Sequence, residues 1–266
     1  MLIKNILSSF RATLEDRRIL ITGASRGLGS VCAAAFSEQG ARLVLLARSK
    51  NELEDVRRSC ANSEKHYTVP GDLTDINMLH NCVAAACEFF GGFDVVLHVA
   101  GGGLGLKETL INANDFIKLF TLNVAAAADI NRLVMPSMLE QGKGNLVHVA
   151  SISANEANAS VGYNTVKAAL AAYVRSIGNE LAASGVVATG ILPGGFYAPG
   201  NSWERLKAHK PDVVKQFVQE RLPRNRLADA EELIPLLSFL CSDGASMMGG
   251  CMVPIDAGEG KAFVRS

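Results

Sequence analysis

Tyr163 and Lys167 lie four residues apart. On a helix that spacing puts both on one face, with Cβ atoms about 5–6 Å apart. An ammonium beside a phenol favours the phenolate and draws the tyrosine down from its usual pKa of ~10. A tyrosine tuned in this way can exchange a proton with a carbonyl or an alcohol near neutral pH. Ser151 ends the run His148-Val149-Ala150-Ser151, and its hydroxyl can bond the same substrate oxygen. Ser153, two residues on, is a weaker candidate for that place. Asn123 falls within a long helical pattern, where asparagine is a poor helix former and marks a bend or a buried polar bond.

A second set of residues suits phosphate rather than proton transfer. Thr22-Gly23-Ala24-Ser25-Arg26-Gly27-Leu28-Gly29 follows an apolar run and opens a helical pattern. Glycines there allow a tight turn and let a pyrophosphate approach the backbone, while the helix N-terminus offers unpaired N–H groups and a positive dipole end. The spacing is G-x3-G-x-G, and three glycines alone are weak evidence in a chain with 25. A carboxylate ~20 residues past the glycines would hold a ribose 2′-hydroxyl, whereas a 2′-phosphate calls for arginine. Ala47-Arg48 stands at that place with no acid, and Arg26 supplies a second guanidinium. Both match phosphate oxygens, so the expected dinucleotide is NADP(H) rather than NAD(H). Asp72, in Gly71-Asp72-Leu73-Thr74, could accept from an adenine amino group, although an isolated acid there more often caps a turn.

The elements that must carry these residues alternate along the chain. Strands are expected at 18–22, 41–47, 67–69, 93–99, 145–150, 185–192 and 251–255. Helical patterns fall at 30–39, 51–61, 75–90, 112–141, 160–183 and 229–241. Strands apolar on both faces, separated by helices, give an α/β fold: a single-domain, doubly wound parallel sheet of the Rossmann type. Residues 1–14 read as an extension, with an amphipathic pattern over Met1–Phe10 that suits an extra helix better than an export signal. Residues 15–266 read as the domain. The segment 194–227 interrupts the alternation and reads as an irregular lid, with Phe196, Tyr197 and Trp203 placed for ligand contact or for packing within the lid.

Composition bounds what such a chain does. Lys plus Arg and Asp plus Glu both number 26, and this balance excludes broad binding to nucleic acid or to an anionic membrane. No apolar run approaches the ~18–20 residues that span a bilayer. The six cysteines form no CxxC pair and share no ligand spacing with the five histidines, so neither a metal site nor a disulfide scaffold is expected. Reduced thiols suit a cytoplasmic protein.

Taken in order, Thr22-Gly-x3-Gly-x-Gly29, Asp72, Ala100-Gly101, Asn123, Ser151, Tyr163-x3-Lys167, Pro193-Gly194 and Ile255-Asp256-Ala257-Gly258 resemble the short-chain dehydrogenase/reductase family over about residues 15–260. The resemblance implies an oxidoreductase that moves a hydride between NADP(H) and a ketone or aldehyde and its alcohol. Tyr163 would be the general acid in reduction, with Lys167 lowering its pKa and bonding the nicotinamide ribose. Ser151 would polarise the carbonyl, and Asn123 would hold a water of a proton relay. Gly23, Ser25, Arg26, Gly27, Leu28, Gly29, Arg48, Asp72, Leu73, Ala100, Gly101, Pro193 and Gly194 would line the cofactor site. Two places depart from the family pattern. His98-Val99-Ala100-Gly101 replaces Asn-Asn-Ala-Gly, and Ala198 stands near a frequent threonine. The 3-oxoacyl-[acyl-carrier-protein] reductases are also similar, and a non-catalytic NADP(H)-binding regulator is a further alternative. Family members assemble, so a homo-oligomer (a tetramer or dimer) is implied, through the helices near 112–141 and 160–183 and the C-terminal strand; the runs Ala125–Ala128 and Ala168–Ala172 permit close helix packing, and burial within one chain explains them as well.

Overall fold

The computed structural model describes residues 14–262. Seven parallel strands form one sheet in the order β3-β2-β1-β4-β5-β6-β9. They are β1 (Arg18–Thr22), β2 (Arg42–Ala47), β3 (Tyr67–Pro70), β4 (Val95–His98), β5 (Gly144–Val149), β6 (Val186–Pro193) and β9 (Met252–Ile255). Every expected strand is present, with ends shifted by one or two residues. Helices cover both faces: α1 (Gly27–Glu38), α2 (Lys50–Ser59), α3 (Ile76–Phe90), α4 (Ala113–Phe120), α5 (Ala126–Gln141), α6 (Val161–Glu180) and α9 (Ile234–Leu240).

The strand sequences explain why both faces need cover. Alternate residues point to opposite sides, so Ile19, Ile21, Leu43 and Leu45 join one core with Phe36 of α1 and Leu237 of α9. Leu20, Val44, Leu46 and Val96 join the other with Val83 of α3 and Ile130 of α5. The chain winds outward from β1 in one direction to β3, then returns to β4 and winds the other way. This reversal opens a crevice at the carboxyl ends of β1 and β4, the place where open α/β sheets bind ligands.

Two expectations need correction. The single helix expected over 112–141 is broken: α4 and α5 are joined by a π-helical turn over Thr121–Ala125. The Asn123 amide donates to Leu119 O at 2.9 Å, competing with the backbone inside the helix, as short polar side chains do. The segment 194–227 is also more regular than expected. It holds β7 (Phe196–Tyr197), α7 (Ser202–His209) and α8 (Pro211–Arg221), and β7 pairs with β8 (Ala228–Asp229). Val214, Leu222 and Leu227 form a small core of their own with Tyr197, Trp203 and Phe217. The amphipathic pattern at Met1–Phe10 lies outside the described residues. Leu14, assigned to the extension, is fully buried in the sheet domain.

Candidate active site

The loop between β1 and α1 is shaped by contacts that leave no room for a side chain. Gly23 has φ +68°, and a Cβ there would lie 2.9 Å from the Ala100 backbone. A Cβ at Gly29 would meet the Gly23 carbonyl oxygen at 2.3 Å. Above Gly27 the space is open. Arg26 is the N-cap of α1 in extended conformation and gives the first turn no side-chain acceptor. The cradle therefore presents backbone donors to an anion, as dinucleotide binding requires. Ser25 is half-buried beside Arg26, and Leu28 is buried beneath the loop.

One of those donors is already used. Gly27 N–H donates to Pro199 O at 2.7 Å, and a Cβ on Gly200 would lie 3.4 Å from Arg26 Cδ. The lid segment thus rests directly on the glycine loop. Nothing local to either segment announces this contact.

Arg26 and Arg48 are exposed, and neither guanidinium enters an ion pair among the described residues. Asp72 acts as the turn cap weighed for it: Oδ1 accepts from Thr74 N–H at 2.9 Å and from the Thr74 hydroxyl at 2.8 Å. Those bonds, with Arg48 adding its charge, hold the carboxyl below its ordinary range. Leu73 beside it is buried.

The departure at Val99 is compensated from an unexpected quarter. Val99 N–H and Ala100 N–H both donate to Thr22 Oγ1, each at 3.2 Å. Thr22 heads the glycine motif, and its place at a strand end next to the loop is the sequence signal for this second role. His98, also at a departure, stacks on His148 at 4.6 Å between ring centroids. Asn131 bridges the two rings and reaches Tyr173. Burial lowers the pKa of both imidazoles, His98 to about 4. Ala198 is buried in the core.

The residues expected to transfer a proton lie near one another at the carboxyl edge of β5. Ser151 follows β5 and caps a short 3₁₀ turn; its oxygen accepts from Ser153 N–H, and its hydroxyl donates to Ser153 Oγ, both at 3.1 Å. Ser153 in turn donates to Asn158, so it serves Ser151 rather than replacing it. Tyr163 and Lys167 rise on α6 opposite this turn. Lys167 is buried, and its Nζ donates to Val149 O at 3.0 Å.

The electrostatics differ from the expectation. Lys167 Nζ stands 5.6 Å from the centre of the Tyr163 ring. Burial pushes the phenol up, and the Ser151 hydroxyl alone opposes it. The same burial draws Lys167 down to about 8. Burial, rather than the ammonium, sets the direction of the phenol's shift, and that direction favours the protonated form.

Asn123 sits behind this group and uses its whole amide on the backbone. Its Oδ1 accepts from Gly102 N–H and its Nδ2 donates to Gly102 O, both at 3.0 Å. A Cβ on Gly101 would lie 2.8 Å from Asn123 Oδ1 and 3.1 Å from Lys167 Nζ. Asn123 therefore fixes the Gly101–Gly103 loop, which packs against Tyr163. Pro193 ends β6, and Gly194 N–H donates to Ile255 O at 3.3 Å. Among the lid aromatics, Trp203 packs on Phe217 at 4.4 Å, and Lys207 covers Tyr197. Phe196 packs against the core. The lid cations are partly committed too, since Arg224 and Arg226 both pair with Glu232. Among the described residues no cluster could hold a metal, and no helix is long and apolar enough to cross a membrane.

The chain is similar to known proteins. Residues 23–259 match the family described as enoyl-(acyl carrier protein) reductase. An uncharacterized oxidoreductase of Staphylococcus aureus strain MRSA252 is 31% identical over 207 residues, covering 76% of this chain and 89% of that protein. The L-sorbose reductase of Gluconobacter frateurii, solved with NADPH and L-sorbose, superposes with a TM-score of 0.86 at 26% identity, covering 95% of this chain and 99% of that one. A 3-oxoacyl (acyl-carrier-protein) reductase of Agrobacterium tumefaciens with NADP bound has a TM-score of 0.88 at 21% identity, covering 97% and 100% of the two chains, which is a likeness of fold.

Proposed function

The chain belongs to the short-chain dehydrogenase/reductase family and is an oxidoreductase, and from that premise we propose that it reduces a ketone or aldehyde to its alcohol with NADP(H). The observation that carries this reading is the meeting of the Tyr163 phenol and the Ser151 hydroxyl at the carboxyl edge of β5, with Lys167 buried behind them.

The residues present fit a dinucleotide. The glycine cradle excludes side chains and gives α1 no side-chain cap, and Arg26 and Arg48, which make no ion pair among the described residues, suit a 2′-phosphate where an acid would repel it. Ser25, Gly27, Leu28 and Gly29 would border the phosphates; Asp72, Leu73, Ala100 and Gly101 would border the adenosine side; Pro193 and Gly194 would border the nicotinamide. When bound, the nicotinamide supplies the two-electron chemistry.

The chain's own part is position and protons. Ser151 bonds the substrate carbonyl oxygen, and Tyr163, kept protonated by burial, donates its proton to that oxygen. Lys167, with a pKa of about 8, is poised near neutrality to restore the tyrosine's proton. Asn123 acts through Gly102, holding the loop that packs on the tyrosine.

Exposed Ile117 and Phe120 on α4 and Val161 on α6 suit assembly of identical chains through these helices. Six unpaired cysteines, four of them buried, suit a reducing cytoplasm. The deciding experiment is Tyr163→Phe with a panel of ketones and aldehydes. Calorimetric NADPH binding should persist while turnover falls by about a thousandfold or more, within the range general acid catalysis supplies together with positioning. Full activity in that variant would remove Tyr163 from the mechanism. Wild-type binding of NADPH without turnover of any carbonyl would favour a regulator instead.

A further inference from the structure

Three segments distant in sequence meet behind the start of the lid. The Gly194–Gly195 turn, which leaves β6 and opens the lid, is held by few bonds. Gly194 N–H reaches Ile255 O, Gly195 O accepts from Ala228 N–H, and Gly195 N–H donates to Glu259 Oε2 at 2.6 Å. Glu259 is 4% exposed, which is unusual for a carboxylate that makes no ion pair among the described residues. A Cβ on Gly194 would lie 2.5 Å from Glu259 Oε2, so glycine there is what lets the carboxylate in. A cavity of about 240 Å³ also borders the turn, lined by Gly194, Gly195, Phe196, Leu222, Pro223 and Asp256. The turn is thus gripped by the carboxylate beside an open space.

The segment carrying Glu259 is itself tied down. Asp256 accepts from Gly258 N–H at 3.0 Å and Gly260 N–H at 2.9 Å. Glu156, in the loop that follows Ser151, accepts from Lys261 N–H and from Ala262 N–H, the latter at 2.7 Å. Residues 256–262 therefore bridge the loop after the proposed carbonyl-binding serine and the turn beside the proposed nicotinamide pocket.

We propose that Glu259 is a positioning residue, whose ionised carboxylate holds the Gly194–Gly195 turn against the cofactor site while Glu156 anchors the same segment to the Ser151 loop. The proposal rests on the cofactor reading above. The groups facing Glu259 are the Gly195 amide, Arg221 of α8, Asp256 of its own segment and Glu156 of the Ser151 loop. Burial raises its pKa, the two acids add to the rise, and Gly195 N–H and Arg221 oppose it. Arg221 Nε is buried with no partner, so this cation does not lock the carboxylate by a hydrogen bond through that atom. Protonation replaces a charge-assisted bond with a weaker neutral one and loosens the turn.

The test is calorimetric NADP⁺ binding by the full chain at pH 8 and pH 5.5, with hydrogen exchange of the lid, for wild type, Glu259→Gln and Glu259→Ala. Glu259→Ala should weaken NADP⁺ roughly tenfold at pH 8, the scale of one lost charged hydrogen bond. It should also speed exchange at Gly195 and leave the β1–α1 loop unchanged. Glu259→Gln keeps the shape, so it folds if the alanine variant does not. It should bind several-fold more weakly than wild type at pH 8, and the gap should narrow as pH falls, because the raised carboxyl of wild type then gains its proton. Unchanged exchange at Gly195 in both variants, or parallel pH profiles for wild type and Glu259→Gln, would overturn the role of Glu259. If wild type binds no NADP⁺, the cofactor reading fails, and exchange at Gly195 still decides whether Glu259 holds the turn.

Discussion

Replacing Lys167 by methionine should stabilise the cofactor-free protein while abolishing its activity. The side chain is 4% exposed and its ammonium has one hydrogen-bond partner, the Val149 carbonyl. Burial lowers its pKa from 10.5 to about 8. Between those values the unfolded chain holds a proton that the native chain has released. Stability therefore rises with pH across that window, and the cost of burying the charge is fully present below about pH 8. At about 1.4 kcal/mol per unit the cost is about 3 kcal/mol. Methionine fills similar volume without charge, but it leaves the Val149 carbonyl unpaired, which returns about 1 kcal/mol. A net gain of about 2 kcal/mol corresponds to about 4–8 °C in Tm for a chain of this size. The assay is thermal unfolding of both proteins without cofactor at pH 7 and pH 9.5, with turnover measured alongside. By pH 9.5 most of the wild-type penalty has gone, and the two midpoints should nearly coincide. A variant less stable than wild type at pH 7, or a gap that does not narrow by pH 9.5, would refute the claim that the active site buries its ammonium at a cost.

Thr22→Val should destabilise the fold by about 2 kcal/mol, since two backbone donors at Val99 and Ala100 lose their acceptor; Thr22→Ser should recover most of it in urea unfolding. His98 and His148 are neutral in the native state and charge below ~pH 6.5 when unfolded. Stability should therefore fall as pH drops below 6.5, with His98 alone contributing about 3 kcal/mol by pH 4. A His98→Phe variant that loses as much stability over that range as wild type would refute this. Replacing both Arg26 and Arg48 by alanine should weaken NADPH binding by about tenfold to a hundredfold and leave NADH binding nearly unchanged, as calorimetry of the two cofactors would report.

Most of the architecture was legible because it is written in short-range pattern. Ile19, Leu20 and Ile21 are apolar in succession because both faces of β1 are covered. Gly23 and Gly29 sit where a Cβ would strike backbone, and Tyr163 and Lys167 share a helix face by their spacing alone. The break at Asn123 was half-visible: the residue type marked a bend, but its bonds to Leu119 and Gly102 lay beyond sequence reach. The lid helices α7 and α8 were missed because Pro199, Gly200 and Pro211 read as breakers, whereas Pro211 begins a helix.

Spacing and periodicity are properties of the chain itself, and they determined the strands, the glycine cradle and the tyrosine–lysine pair. Only the folded molecule decided which way the tyrosine's acidity moves, because that depends on how much water the packing removes. It also decided that Pro199 rests on Gly27, that Thr22 serves Val99 and Ala100, and that Glu259 reaches back to Gly195. Each of these joins segments far apart in sequence, and partner choice at such distances is made by packing rather than by any local preference of the residues involved.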